Sequence, residues 1–338
     1  MRKTICFDDV LLTPRYSGIL SRSEIKTSSV MNGVSYTTPV ISSPMDTVSE
    51  TEMASAMDSL GGLAVIHRYN TVQHQSKLVH AAHATGAKNI GAAVGVSGDY
   101  LDRAKSAVMA GANVLCVDIA HGHHVMMKNA LKSLRSMFRE DITIMAGNVA
   151  TLEAFNDLSD WGAHAIRVGV GGGSICSTRI QTGHGMPTLQ SVIDCAASDR
   201  DAVLVADGGI KNSGDISKAI AAGADFVMLG SMLSGTEETP VEKVWSPEKG
   251  TWVYPYRGMA SVEAQIDWRG HTSSVEGVAS SVTEKGSVAT VVEDLMRGLR
   301  SGMSYSGAKT ITEFQSVASF VIQSGSSQVE SSTHINRV

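Results

Sequence analysis

The sequence predicts an α/β protein of the (β/α)8 barrel class, and three observations indicate it. Eight short apolar runs, each bounded by Gly, Asn or Asp, occur along the chain. Apolar residues at helical spacing lie between the runs, and a Gly-Ala pair precedes several of them. Eight such strand and helix units typically take ~250 residues, so a chain of 338 residues has room for further segments. A doubly wound open sheet is the alternative architecture, and it would not need eight equivalent strands.

The eight runs are expected to be parallel strands buried on both faces, because they do not alternate between apolar and polar residues. They occupy residues 39–45, 62–67, 90–95, 114–120, 143–149, 165–171, 202–209 and 226–231. Helices are expected between them, for example over 97–111, where Leu101, Ala104 and Val108 recur at helical spacing, and over 212–223. The glycines of the four pairs fit the left-handed residue that ends a helix; they are Gly86, Gly111, Gly162 and Gly223.

Several segments lie outside these units, and we expect all of them to belong to a single barrel domain covering residues 1–338. They are an N-terminal lead up to residue 38, a loop at 172–200, an excursion at 232–285 and a Ser-rich tail from Ser324.

Composition and charge exclude several classes of protein. The 43% apolar and 18% charged fractions are typical of a folded globular chain. With 28 basic against 33 acidic residues and no basic run, no nucleic-acid surface is indicated. No stretch approaches the ~20 apolar residues of a membrane span, and the N-terminus lacks the apolar core of a signal peptide. We therefore expect a cytoplasmic protein that binds neither nucleic acid nor a membrane.

Polar and glycine residues concentrate at the carboxyl ends of the predicted strands, where barrel enzymes carry their active sites. The Gly-rich loop at 169–174 has Ser174 where a dinucleotide-binding motif needs its third glycine, which argues against such a motif. Its backbone groups are suited instead to holding anions or cations. The Gly208-Gly209 and Gly230-Ser231 pairs follow the seventh and eighth strands, where barrels often bind phosphate. Each pair has the alternative role of a simple turn.

Cys176 is the candidate nucleophile among four widely spaced cysteines, which form no CxxC pair and predict neither a zinc site nor disulfides. It stands among hydroxyl residues beside the glycine loop, whereas Cys116 lies in an apolar strand, as structural cysteines do. No His or Asp at a fixed spacing identifies a base for it. The histidines at 121, 123 and 124 lack the carboxylates of a metal site, so we expect them to line the cofactor end of the pocket, with at least one facing solvent.

Seven ordered motifs, spread over almost the whole chain, resemble those of the IMP dehydrogenase and GMP reductase family. They are FDDVLL at 7–12, SSPMDTV at 42–48, DIAHGH at 118–123, AGNV at 146–149, GSIC at 173–176, ADGGI at 206–210 and YRGM at 256–259. Members of this family are (β/α)8 enzymes that act at carbon 2 of a purine nucleotide. The resemblance therefore implies a purine nucleoside monophosphate as substrate and a square homotetramer as assembly.

The resemblance also implies roles for individual residues. Cys176 would attack carbon 2, with Thr178 and Glu276 moving the proton that lets ammonia leave. The residues expected around the phosphate and the ribose are Ser174, Gly208, Gly209, Gly230, Ser231, Tyr256 and, on the ribose hydroxyls, Asp207. Those expected around the base are Ser43, Met45, Gly258, Met259 and Glu276. Those expected toward the nicotinamide are Asp118, Ala120, Asn148 and Gly169. The carbonyls of Gly171, Gly173 and Cys176 would hold a monovalent cation such as K⁺.

The span between Met259 and Glu276 bears on which reaction the chain catalyses. It is short and contains no adjacent Arg-Tyr pair, and no regulatory two-module insertion separates His67 from Ile90. Both features resemble the reductase, which converts GMP to IMP and ammonia with NADPH. The SSPM and YRGM motifs resemble the dehydrogenase, so NAD-dependent oxidation of IMP to XMP is the alternative. A catalytically silent protein that only binds purine nucleotides is the third hypothesis.

Overall fold

The computed structural model describes residues 1–331, and the part of the Ser-rich tail beyond Ser331 lies outside the described residues. The strands of the described part are β1 (Val10–Leu12), β2 (Ser29–Met31), β3 (Val34–Tyr36), β4 (Val40–Ser42), β5 (Leu63–Ile66), β6 (Ile90–Val94), β7 (Val114–Asp118), β8 (Thr143–Val149), β9 (Ala165–Val168), β10 (Val203–Asp207), β11 (Phe226–Leu229), β12 (Val244–Ser246), β13 (Thr251–Arg257), β14 (Ala279–Thr283) and β15 (Phe320–Ile322). The α-helices are α1 (Thr51–Ser59), α2 (Val72–Ala84), α3 (Tyr100–Met109), α4 (Val125–Phe138), α5 (Leu152–Asp160), α6 (Thr178–Thr182), α7 (Thr188–Cys195), α8 (Ser213–Ala221), α9 (Val262–Arg269), α10 (Val288–Tyr305), α11 (Ile311–Val317) and α12 (Gly325–Glu330).

Strands β4 to β11 form a closed parallel barrel, which confirms the predicted (β/α)8 fold and excludes the open sheet. Each strand pairs with the next along the chain, and β11 returns to pair with β4. All eight predicted runs contain one of these strands. Most runs extend one to three residues past the observed carboxyl end, as at Leu229, because the glycine and polar residues that follow turn away into loops. Those loops build the site described below.

The helices begin and end where local chemistry predicts. Side-chain oxygens of Thr71, Thr151 and Asn212 each accept a backbone N–H of the first turn of α2, α5 and α8, respectively. The four predicted terminating glycines all have positive φ, between 97° at Gly86 and 118° at Gly111. The expected helices over 97–111 and 212–223 are confirmed as α3 and α8.

The barrel interior is filled by side chains and closed at one end by the β2–β3 hairpin. Met31 and Tyr36 of the hairpin are buried in one cluster with inward-facing strand residues. The ring of Tyr36 meets that of Phe226 edge to face, with centroids 5.5 Å apart. A ligand can therefore enter only from the opposite end, where the strands have their carboxyl termini.

The segments outside the barrel units carry elements of their own. The loop at 172–200 contains α6 and α7, and the excursion at 232–285 contains α9 and an antiparallel sheet in the order β12, β13, β14. In the N-terminal lead, β1 pairs antiparallel with β15. No helix found within residues 1–331 has the length and apolar character needed to cross a membrane.

Candidate active site

A cavity of about 460 Å³ opens at the carboxyl ends of the barrel strands, and its volume is typical of a small-molecule site. All of the predicted catalytic, substrate-binding, cofactor-binding and cation-binding residues line it, although they come from six of the eight barrel strand ends and from the 232–285 excursion. The strand-end glycines and the excursion thus converge on one space.

Cys176, Thr178 and Glu276 form a short hydrogen-bonded chain at this cavity. The Cys176 thiol donates to Thr178 Oγ1 at 3.1 Å, and the Thr178 hydroxyl donates to Glu276 Oε2 at 2.7 Å. All three residues are half-buried and line the cavity. The chain connects a candidate nucleophile to a carboxylate through one hydroxyl, which is the arrangement that a proton relay needs.

Backbone hydrogen bonds hold the two halves of this chain together. The Ser177 N–H donates to the Glu276 carbonyl at 2.9 Å, and the Val278 N–H donates to the Ile175 carbonyl at 3.0 Å. Between them, Cys176 and Gly277 form an isolated antiparallel bridge. The 172–200 loop is therefore aligned by the excursion, and Ser177 is buried beneath it.

The glycine loop after β9 packs on the loop after β10. A Cβ on Gly208 would lie 3.1 Å from the backbone nitrogen of Gly173, and Gly208 and Gly209 have φ near +90° and +80°. Side chains are strained at such φ values. The two loops approach so closely that their backbone N–H and C=O groups, and not side chains, form this wall of the cavity.

The end of β11 meets the excursion around Gly230. A Cβ on Gly230 would lie 3.0 Å from Tyr256 Oη, 3.1 Å from Met45 Sδ and 3.3 Å from Ser43 Oγ. Burial raises the pKa of the Tyr256 hydroxyl to about 12, so this group stays protonated, and it also lies close to Ser174 and Ser231. Neutral hydroxyl donors therefore surround this end of the cavity.

Asp207 and Asp118 are joined by Arg167, a buried arginine of β9 that the sequence analysis did not assign to the site. Arg167 donates from Nη2 to Asp207 Oδ2 at 2.9 Å and from Nη1 to Asp118 Oδ1 at 2.7 Å. Burial disfavours the charged form of the Asp118 carboxyl and by itself would raise its pKa. The positive charges of Arg167 and Arg68 outweigh this effect, so the pKa of Asp118 is lowered. The predicted run at 165–171 is thus not uniformly apolar. The arginine within it is the sequence feature from which this network could have been predicted.

Asn148 connects the network to the glycine loop. Its Nδ2 donates to the Gly169 carbonyl at 2.9 Å and to Asp207 Oδ2 at 2.8 Å. Arg68 lies beside Asp118, with its Nε 3.5 Å from Asp118 Oδ2, and that Nε has no hydrogen bond within the described residues. The cavity is also lined by residues of the excursion that were not predicted, including Gln265 and Arg269.

The three histidines after β7 do not line the cavity, so the expectation that they line its cofactor end is wrong. His121 and His124 are exposed, and the His123 ring lies 2.8 Å from Asp157 and stacks on Trp161. His124 instead caps α4 by accepting the Met126 N–H. Within residues 1–331, no group of three or more His, Cys, Asp or Glu side chains could hold a metal ion.

The other three cysteines lie away from the cavity, and none of the four forms a disulfide. Cys116 and Cys195 have no solvent exposure, and burial raises their pKa values to about 11 and about 12. Burial also raises the pKa of Cys6. Cys176 is therefore the cysteine that a ligand in the cavity can reach.

Comparison with known proteins places the chain beside two kinds of purine nucleotide enzyme. A family model described as IMP dehydrogenase / GMP reductase domain matches residues 4–334. The chain is 36% identical to an inosine-5'-monophosphate dehydrogenase from Cryptosporidium parvum, over 98% of this chain and 95% of that protein. It is 43% identical to a GMP reductase from Leishmania major, over 80% of this chain and 58% of that protein.

A solved structure has the same architecture. It is a cysteine-to-alanine variant of GMP reductase from Trypanosoma brucei in complex with guanosine 5'-monophosphate. The TM-score is 0.93 at 31% identity, and the alignment covers 100% of this chain and 99% of that one. The likeness therefore extends through the barrel and the added segments together.

Proposed function

The chain belongs to the IMP dehydrogenase / GMP reductase family, and from this premise we propose that it is a GMP reductase, which converts GMP to IMP and ammonia with NADPH. The observation that carries the proposal is the hydrogen-bonded chain from Cys176 through Thr178 to Glu276. Loss of ammonia requires proton delivery to an amine, and this chain ends in a carboxylate that can hold and return a proton.

In the proposed reaction, Cys176 Sγ bonds to purine carbon 2 while its proton passes through the Thr178 hydroxyl to the Glu276 carboxylate. Glu276 then returns a proton through the same hydroxyl to the exocyclic amine, and the carbon–nitrogen bond breaks to release ammonia. NADPH supplies, when bound, the hydride that carbon 2 receives before the carbon–sulfur bond breaks. The sum is GMP, NADPH and two protons giving IMP, NADP⁺ and ammonium, so atoms and charges balance.

The phosphate end of GMP is assigned in this proposal to the region around Gly230. Hydroxyls of Ser174, Ser231 and Tyr256 and the backbone N–H groups of neighbouring glycines offer the donors that a phosphate needs. Asp207 is fixed by Arg167 and Asn148, which suits a carboxylate that accepts from ribose hydroxyls. The purine would then lie over Met45 and Met259 with carbon 2 toward Cys176.

The residues on the Asp118 side of the cavity fit a nicotinamide. Asn148 donates its amide hydrogens to Gly169 and Asp207, and its Oδ1 is therefore able to accept a hydrogen bond from a carboxamide. Asp118 offers carboxylate oxygens fixed by Arg167. Ala120 and Gly169 line the same side of the cavity, and their small size leaves room for a ligand there. We assign these four residues to NADPH; the alternative reaction would place NAD⁺ there.

The turn that carries Cys176 also fits a monovalent cation. The Gly173 carbonyl accepts the Cys176 N–H at 3.1 Å and keeps a second lone pair, and Gly171 is in the left-handed region at φ +79°. Backbone carbonyl oxygens are the ligands that K⁺ uses elsewhere. We propose that the carbonyls of Gly171, Gly173 and Cys176 hold K⁺. Turnover should then increase when K⁺ replaces a large organic cation in the buffer, and an unchanged rate would exclude this site.

One assay separates the candidate functions. Purified protein is mixed with GMP and NADPH, or with IMP and NAD⁺, and the absorbance of the reduced cofactor is followed. GMP-dependent loss of NADPH, with ammonium and IMP as products, is the expected result. IMP-dependent formation of NADH without the GMP reaction would establish the dehydrogenase, for which the similarity to the Cryptosporidium parvum enzyme over nearly both whole chains is the favouring observation. Binding of GMP or IMP without turnover of either would leave a silent nucleotide-binding protein.

We propose that the enzyme works as a homotetramer in the cytoplasm. Tyr16 and Leu20 of the N-terminal lead are 95% and 96% exposed, which suits residues that contact another copy. The four unpaired cysteines suit a reducing compartment. Light scattering should give the mass of four chains, and a stable single chain at working concentration would contradict the tetramer. Cell fractionation tests the location.

A further inference from the structure

The cavity has a second polar end, opposite the hydroxyl-lined region around Gly230. Burial raises the pKa of the Tyr69 hydroxyl to about 12, and the charged groups close enough to act on it are Arg68, Asp118, Arg167 and Arg269. Tyr256, at the other end, lies near Ser174, Ser231 and Asp207. The arginines that line the cavity therefore gather on the Asp118 side, and the substrate phosphate region is built from neutral donors.

Arg269 is the arginine of this group that has no acidic partner. Arg167 is paired with Asp118 and Asp207, and Arg68 lies beside Asp118. None of the ion pairs among residues 1–331 includes Arg269, and the hydrogen bond of its guanidinium to the excursion is a long one, 3.5 Å from Nη1 to Ser273 Oγ. It is exposed at the mouth of the cavity, at the end of α9.

The neighbouring Trp268 holds this end of α9 against the barrel. Its ring meets the Tyr69 ring edge to face with centroids 5.0 Å apart. The guanidinium carbons of Arg269 and Arg68 lie 4.3 Å and 5.7 Å from the Trp268 ring centroid. Stacking on an aromatic face orients a guanidinium without consuming its N–H donors. Arg269 is thus oriented at the mouth with its hydrogen-bonding capacity nearly unused.

We propose, on the basis of the proposed function, that Arg269 binds a phosphate group of the reduced dinucleotide, with Trp268 and Tyr69 forming the wall beside it. A guanidinium is suited to phosphate because its planar fork pairs with two oxygens. The nucleotide substrate places its one phosphate at the opposite end, so an unpaired arginine on the Asp118 side fits the phosphates of the second ligand. These are the pyrophosphate, common to NADH and NADPH, and the 2′-phosphate, which only NADPH carries.

The test measures binding and not turnover. Protein saturated with IMP is titrated with NADPH and, separately, with NADH by isothermal titration calorimetry; IMP cannot react with either reduced cofactor in either proposed reaction. Arg269→Gln is compared with Arg269→Lys and with Arg297→Gln, a control at an exposed arginine of α10 outside this cavity. IMP affinity is measured first in every variant, and it should be unchanged.

Arg269→Gln should weaken NADPH binding about tenfold or more, Arg269→Lys should recover part of the loss, and Arg297→Gln should bind as wild type. An equal loss for NADH assigns the contact to the pyrophosphate, and a loss for NADPH alone assigns it to the 2′-phosphate. The wild-type affinity should also fall more steeply with salt than that of the Gln variant. Unchanged binding of both dinucleotides by Arg269→Gln would overturn the proposal. Failure of the wild type to bind either one would instead remove the proposed function on which it rests.

Discussion

Thr178 donates a hydrogen bond of 2.7 Å to Glu276 across a sequence separation of 98 residues. The contact joins the loop after β9 to the segment that precedes β14, and the backbone hydrogen bonds that Ser177 and Val278 donate hold those two segments together. A relay built from two distant segments exists only when the excursion is folded onto the barrel. Assembly of the candidate site therefore requires a folded excursion.

Removing either group of this relay should lower turnover far more than it lowers nucleotide affinity. Thr178→Val keeps the side-chain shape and removes the hydroxyl, and Glu276→Gln removes the carboxylate. Each should reduce kcat by about 10²- to 10⁴-fold, the range for a lost acid or base. Thr178→Ser retains the hydroxyl and is the matched control, with activity near that of the wild type. Steady-state kinetics with GMP and NADPH measures all three.

The double variant Thr178→Val/Glu276→Gln tests whether the two residues act in series. Groups that move one proton in turn are strongly non-additive, so the double variant should be little slower than the worse single variant. Losses that multiply would show that Thr178 and Glu276 act independently, and the relay would then be wrong.

Arg167→Met should destabilise the fold in a manner that depends on pH. It leaves the half-buried Asp118 and Asp207 carboxylates without the cation that they share, and breaking a buried pair costs about 3–5 kcal/mol. In the wild type the lowered pKa of Asp118 contributes stability that is present at neutral pH and is lost as pH falls through that pKa. In the variant Arg68 is the remaining cation beside Asp118, so the Asp118 carboxylate binds a proton more readily and acid lowers the cost of the substitution.

Thermal unfolding at pH 7.5 and pH 5 measures this effect. The difference in Tm between wild type and Arg167→Met should be large at the higher pH and smaller at the lower one. Arg200→Met is a suitable control, because Arg200 pairs with Asp160 and Asp199 on the surface and should change Tm little at either pH. A gap that widens on acidification would contradict the assignment of Asp118 as the responsible group.

The barrel could be predicted from sequence because strands that are buried on both faces have a recognisable local pattern of apolar residues. Runs such as 90–95 are apolar at consecutive positions, and several helices are followed by a glycine with positive φ, as at Gly86 and Gly223. Arg167 is the opposite case, because it is a charged residue within a buried run. Its role depends on partners that lie 40 and 49 residues away in the sequence. Strand spacing cannot reveal such pairing.

The structure of the excursion was harder to predict from the sequence than that of the barrel, for a different reason. Its strands β12, β13 and β14 are exposed or half-buried at most positions, so they lack an apolar pattern, and β13 contains Pro255. Trp268 and Tyr69, whose rings are in contact, lie far apart in the sequence. The resemblance to a known family supplied the site residues, but it did not supply Arg68 and Tyr69, which follow β5, or Arg269 of the excursion, and all three line the cavity.

Gly230→Ala should weaken nucleotide binding more than it affects folding. The added methyl would lie 3.0 Å from Tyr256 Oη and 3.1 Å from Met45 Sδ, closer than nearly all ordinary contacts, so both side chains must shift in the region proposed for the phosphate. We expect at least a tenfold rise in the dissociation constant for GMP, measured by calorimetry. Gly18→Ala is the control, because its added methyl would meet no atom within 4 Å. Equal GMP affinity in the two variants would place the phosphate elsewhere.

Replacement of Cys176 by alanine is the most direct test of the covalent mechanism. The change removes the sulfur that would bond to carbon 2, while the proposed phosphate and ribose contacts, apart from that of Ser174, come from the loops after β10 and β11 and from Tyr256. Turnover should therefore fall by several orders of magnitude, as in other enzymes that lose their nucleophile, and GMP should still bind with near wild-type affinity. Cys195→Ala is the matched control, since Cys195 is fully buried in α7 and away from the cavity, and this variant should remain active. Near-normal turnover of both GMP and IMP by Cys176→Ala would mean that no covalent bond to this cysteine is needed.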